Sequence, residues 1–365
     1  MLSLAPFLFF VAVIPQADAL PSEHLVPQTP ALSPDGTQVA YSHQGDLWVA
    51  PVASGLATRL TAHPSYDGHP HWSPDGSRIA FTSHRHGNVD IFVVAASGGT
   101  VQRLTWHVES ETLHGWVDEE TVLMGATRDR WYSRYGRDQG VWSLSIHGGD
   151  PQLIGDFAAQ RVCASADGRY LIYERGSGDV RRRAYRGSAA SNLWVYDQEL
   201  QEHRRLTKRD GNDMMPKISA DGQRVFFLSD APCAGNEQGR EMTLWAISFA
   251  GGEAKPISLE SGSSYRSLSL SASGNAMVSV GQRMDLIHLP SELVQFVSVH
   301  GAMDGGRPRF QNVTRTKGAE QLAVSPDGEM LAFSAKGDIY VMRNHEDIHR
   351  AVRVTTHPAP DANPV

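Results

Sequence analysis

One four-residue turn recurs along this chain and constrains its fold more than any other feature. Ser33-Pro34-Asp35-Gly36 returns as Ser73-Pro74-Asp75-Gly76 and as Ser325-Pro326-Asp327-Gly328. Looser copies are Ser165-Ala166-Asp167-Gly168, Ser219-Ala220-Asp221-Gly222 and Ser271-Ala272-Ser273-Gly274, with a degenerate one around Trp116-Val117-Asp118-Glu119. Successive copies stand 40 to 54 residues apart, the period of a repeat architecture. Proline presets φ, aspartate bonds the local backbone, and glycine closes the turn without steric cost. Each copy therefore predicts a hairpin.

The second unit shows the whole pattern. His71-Trp72-Ser73 ends a strand, and Arg78 to Ser83 forms another. A polar loop leads to Asp90-Ile91-Phe92-Val93-Val94; Ser97-Gly98-Gly99 turns the chain into Val101 to Thr105. The third strand recurs around Trp48, Trp142, Trp194, Trp245 and Tyr340, and the fourth as Arg59-Leu60-Thr61, Arg205-Leu206-Thr207 and Arg353-Val354-Thr355. Four short antiparallel strands are too small to be stable alone. Stacked radially they bury both faces, which is the β-propeller solution. The aromatics at equivalent places read as packing between blades.

The expected fold class is all-β: a six-bladed ring of four-stranded blades over residues 22–300, a linker over 301–312, and the first blade of a second, truncated propeller over 313–365. A single seven-bladed propeller is the alternative. The linker is marked by Gly301, Gly305, Gly306 and Pro308. Thr355-Thr356-His357-Pro358 repeats Thr61-Ala62-His63-Pro64, after which another blade began. That predicts a sequence stopping between blades, as a fragment or a truncated product.

Composition excludes several functions. Hydrophobic residues make up 41% and charged residues 20%, enough for a core. Net charge is −7 and no long basic run occurs, which argues against nucleic acid or anionic membrane as the main partner. Cys163 and Cys233 are too few for a disulfide framework and read as two buried thiols. Leu2 to Ile14 is apolar and Ala17-Asp18-Ala19 follows, so residues 1–19 read as a secretory signal, although no Lys or Arg precedes the apolar run. Export to the periplasm or medium is expected. No other segment is long and apolar enough to span a bilayer.

The combination S-P-D-G, strand, G-N-x-D-I-F-V, G-G, R-L-T resembles TolB-type propellers and the propellers of tricorn-like serine peptidases. Arg103-Leu104-Thr105-Trp106-His107 with Thr112-Leu113-His114-Gly115-Trp116 is similar to the tricorn entry to a third blade. Tyr185-Arg186-Gly187 with Asn192 to Asp197 is similar to its fourth, and Thr316 to Glu320 to the entry of its second propeller. The resemblance implies a six-bladed ring before a seven-bladed one, with helical, PDZ and peptidase regions beyond. It implies a non-catalytic propeller that binds or gates peptides, with the family's catalytic residues beyond Val365. No catalytic residue and no cofactor is expected here. The implied partners are peptides or unfolded polypeptide, the rest of its own peptidase chain, and further copies of itself. The other reading is a TolB-type periplasmic interaction module without peptidase activity.

Three clusters carry chemistry. Arg181, Arg182, Arg183 and Arg186 match a peptide carboxylate in geometry, or pair with local acids in a solvated loop. His69, His71, His84 and His86 are weak metal candidates, because alternate strand positions share a face; ordinary channel polarity is the blander reading, and a metal-using propeller enzyme the sharper one. His345-Glu346-Asp347-Ile348-His349 fits H-E-x-x-H, but it falls in a hairpin loop rather than on a helix and reads as a chance match.

Overall fold

The structure, a computed structural model, describes residues 22–128, 139–239, 241–257, 264–302, 319–335, 338–344 and 351–355. The signal-like segment and the H-E-x-x-H motif lie outside them. Among the described residues there are seven four-stranded antiparallel sheets and no helix. Each sheet follows chain order, so every blade is a meander. Blade 1 runs from Gln28–Leu32 to Thr58–Arg59, and blade 2 from Asp67–Trp72 to Gln102–Arg103. Blade 3 runs from Thr112–Trp116 to Gln152–Gly155, and blade 4 from Val162–Ala164 to Glu202–Arg205. Blades 5 and 6 run from Asp213–Ile218 to Lys255–Pro256 and from Ser267–Leu270 to Leu293–Val297. The seventh sheet runs from Glu320–Val324 to Ala351–Arg353.

The turn works as its residues predict. Ser33 Oγ donates to Asp35 Oδ1 at 2.6 Å and accepts from Gln38 N at 2.9 Å. Thr37 N donates to Asp35 Oδ1 at 3.0 Å, and Gly36 takes φ +77°. Ser73-Asp75 and Ser325-Asp327 repeat this network. Hydrogen bonds from Ser73 and Ser77 hold the Asp75 carboxyl down at about 2.

The strand motifs also decode. Thr61 Oγ1 of Arg59-Leu60-Thr61 accepts from Leu47 N at 2.9 Å, and Arg59 meets Asp46 at 2.8 Å. Thr105 does the same for Ile91, while Arg103 meets Asp90 at 2.7 Å. Thr207 bonds Leu193 N and Thr355 bonds Ile339 N. In blades 1, 2 and 4 the Arg-Leu-Thr triplet, and in the seventh sheet Arg-Val-Thr, thus clips the outer strand onto the start of the third strand.

Period-2 alternation sends successive side chains to opposite faces, and here both faces are dry. Val39 and Tyr41 face blade 6, whereas Ala40 faces blade 2. Six apolar cores result, one at each interface around the ring. The sixth joins Leu32, Val39 and Tyr41 of blade 1 to Met277, Met284 and Val297. Blade 6 therefore packs on blade 1, and the ring closes at six, not seven. A seam reinforces it: Ser22–His24 pairs antiparallel with His300–Ala302, and His300 also bonds Gly55 and Ala57 at 2.9 and 2.8 Å. The pairing reaches Ala302, two residues into the stretch expected as linker. The seventh sheet joins none of the six cores, and Leu322 is 65% exposed.

Candidate functional site

The inner strand of each blade carries the residues nearest the axis, and in blades 1, 2, 3 and 5 its register is set by a bulge. Thr29, His69 and Met215 each precede a proline and take φ of 46°, 51° and 56°. The ladder shifts at these points, between Gln28 and Ala31, Gly68 and His71, and Met214 and Lys217. Proline has no N–H to give a ladder, so an inner strand accepts it only at such a break. In blade 3 the shift falls between Leu113 and Gly115.

Counting back two residues from the turn serine gives one level around the ring: Ala31, His71, Cys163, Lys217 and Ser269, with Gly115 at the equivalent rung of blade 3. Each pairs with the same position of its second strand, so the six lie at one height. Neighbouring inner strands are bonded directly at this level. Trp72 Nε1 donates to Ala31 O, and Trp116 Nε1 to His71 O, both at 2.9 Å. Leu32 N donates to Ser269 Oγ at 2.9 Å across the closing interface.

Two of the groups so gathered, His71 and Lys217, are basic, and both are half-buried. Burial lowers the His71 and Lys217 pKa values, and it holds His114 down at about 3. The Lys217 charge lowers both histidines further. Burial pushes the Cys163 thiol up to about 11. His114 is 5% exposed and its Nε2 has no hydrogen-bond partner. That is the expected environment for a neutral imidazole, since an unpaired buried charge is costly.

A histidine buried neutral makes folding pH-dependent. The unfolded state protonates near 6.5 and the folded state only near 3, so stability is complete above 6.5 and falls as the pH drops through that window. His114 alone should cost about 2 kcal/mol between pH 7.5 and pH 5. Denaturant unfolding at the two pH values measures this, and His114→Leu should flatten the difference.

The four candidate histidines separate. His69 Nδ1 meets Thr82 Oγ1 at 3.2 Å, and desolvation of the ring lowers its pKa although the residue as a whole is exposed. His71 sits beside Gly115. His84 and His86 lie exposed on the loop after the second strand of blade 2, and His86 stacks on Phe92 at 6.2 Å. Among the described residues, no three His, Cys, Asp or Glu side chains group as metal ligands.

The arginine cluster is mostly committed to protein. Arg186 reaches buried Asp230 at 3.0 Å and also bonds its carbonyl oxygen. Arg182 stacks on Tyr185 at 3.9 Å, and Arg183 reaches Ser264 Oγ at 3.1 Å. Among the described residues, Arg181 is engaged through its backbone N–H, which donates to Asp179 Oδ1 at 2.8 Å. Arg186 is therefore a structural residue of its loop. Cys163 and Cys233 are both free thiols in half-buried residues.

Sequence reasoning reached His69 and His71 but missed His114, Cys163 and Lys217. Aligning the units on the turn serine, rather than on the turn as a whole, exposes His71, Cys163 and Lys217; His114 is displaced by its bulge.

The family described as tricorn protease N-terminal beta propeller domain matches residues 24–289. A tricorn protease homolog 1 from Streptomyces coelicolor is 31% identical over 203 residues, covering 54% of this chain and 18% of its own length. The chain thus spans under a fifth of that relative. Among solved structures, a tricorn protease superposes with a TM-score of 0.65 at 14% identity, over 92% of this chain and 32% of its own. A putative TolB from Agrobacterium tumefaciens superposes at 0.52 with 17% identity, over 76% and 90%. With its six-membered ring of meander blades and a matching family profile over most of that ring, this chain belongs to the tricorn protease N-terminal β-propeller family.

Proposed function

We propose that this chain is the non-catalytic propeller part of an exported tricorn-like serine peptidase, where it binds peptides and gates their passage to a separate catalytic core. The observation that supports this best is the axial level of His71, Cys163 and Lys217, polar side chains with one lysine among them inside an otherwise apolar ring. Backbone carbonyls and carboxyl ends of an extended peptide suit such donors. Residues 313–365 are, in this reading, the opening blade of a second propeller. The half-exposed faces of the seventh sheet are consistent with a blade that expects neighbours.

A tagged chain recovered from its native host tests the reading. A polypeptide that reacts with a fluorophosphonate probe for activated serines should be present, in the same molecule or co-purified, in the exported fraction. Recovery with envelope proteins and no probe-reactive species would favour the TolB-type interaction module instead.

A further inference from the structure

The outer clip shared by blades 1, 2, 4 and the seventh sheet departs from its pattern in blade 4. In blades 1, 2 and 7 the third strand opens with an aspartate that neutralises the arginine of the outer strand: Asp46 with Arg59, Asp90 with Arg103, Asp338 with Arg353, at 2.8, 2.7 and 2.6 Å. Blade 4 keeps the arginine, Arg205, but opens with Asn192. The amide oxygen accepts from Arg205 Nη2 at 2.5 Å, so the geometry of the clip survives and its negative charge does not.

The rung opposite that position is also altered. In the three other blades the residue facing the aspartate is His43, Ser83 or Ala335; in blade 4 the residue facing Asn192 is Arg175. Trp194 lies two residues along the same face and pairs with Arg205, and the Arg175 guanidinium stacks over its ring at 5.1 Å. Cross-strand partners share a face at close range, so both guanidiniums sit on one side of the sheet. Neither forms an ion pair among the described residues. The adjacent Glu174 is buried on the opposite face and is taken by Arg161 at 2.8 Å. A recess of about 600 Å³ opens over this face, walled by Arg175, Asn192, Trp194 and Arg205 with Ser177 and Ser188 on its loop side.

We propose that this recess on blade 4 is a carboxylate-binding site, in which a ligand supplies the negative charge that the blade's own aspartate supplies elsewhere. The class follows from the repeat itself: the group that Arg59, Arg103 and Arg353 engage is a carboxylate. Two like charges held on one face, one of them pre-oriented by an indole, favour an anion over water. The site does not depend on the peptide-gating reading. Its carboxylate comes either from an acidic side chain of a polypeptide or from a free dicarboxylate.

Calorimetric titration of the full chain at constant ionic strength tests this with three probes: succinate, the blocked peptide acetyl-Gly-Glu-Gly-amide, and inorganic phosphate. At least one carboxylate probe should bind saturably at one site and more tightly than phosphate; the tighter of the two names the source. Asn192→Asp restores the repeat's own acid and should weaken that binding at least tenfold while the thermal midpoint holds or rises. Arg175→Gln should weaken it similarly. Absence of saturable carboxylate binding, tighter phosphate binding, or unchanged affinity in Asn192→Asp would each overturn the proposal.

Discussion

Gly55→Ala is expected to destabilise the ring by about 3 to 4 kcal/mol and to open it first at the seam between blades 6 and 1. Gly55 takes φ +66°, and a Cβ placed there would lie 2.0 Å from the carbonyl oxygen of Ser298. No rotamer change relieves a clash with backbone. The segment must withdraw, and it carries His300 N to Gly55 O and Ala57 N to His300 O. Left-handed strain contributes about 1 to 2 kcal/mol and each lost bond about 1 kcal/mol. Gly99→Ala is the control, because Gly99 also has positive φ but meets nothing within 4 Å. Denaturant midpoints compare the two, and hydrogen exchange at Leu25, Ala57 and His300 locates the opening. Equal effects of the two substitutions would mean that the seam does not hold the ring.

Asp230→Ala should cost about 3 kcal/mol, the size expected when one partner of a buried ion pair is removed. Asp230 is fully buried and accepts four bonds: from Ala184 N at 2.8 Å, Arg186 Nη1 at 3.0 Å, and the N and Nδ2 of Asn212, both at 2.7 Å. Asn212 Oδ1 in turn accepts from Ser191 N at 3.2 Å. One carboxylate therefore ties the long loop of blade 4 to blade 5. Asp230→Asn keeps part of the network and should fall between wild type and alanine. Protease cleavage between Ser177 and Ala190 should accelerate in Asp230→Ala well before global unfolding. A stability loss without faster cleavage there would show that the carboxylate serves the blade core and not the loop.

Much of this architecture is legible in the repeat. The turn residues give the hairpins, and alternation within Arg78–Ser83 and Asp90–Ala95 gives sheets with two dry faces. Ring closure is harder to read. The seventh unit carries the same turn and the same strand motifs as the first six, and what separates it is whether blade 1 meets blade 6, a contact between residues such as Leu32 and Ser269 that lie 237 positions apart. Arginine clustering near residue 183 drew attention to charge density along the chain, but fold geometry assigns Arg186 to Asp230, far away in sequence. The uncompensated pair, Arg175 and Arg205, is spread over thirty positions and becomes visible only when the clip is understood as an Asp–Arg unit and Asn192 as the exception.

Truncation after Ala302 with hydrogen exchange on the remaining chain tests the central claim, that six blades close the ring by themselves. The six cores and the seam are all intact in that product, so the account predicts unchanged protection at Val39, Met277 and His300 and an unchanged unfolding midpoint for the ring. Loss of protection confined to blades 1 and 6 would contradict it, since that pattern arises only if residues beyond Ala302 complete the circle.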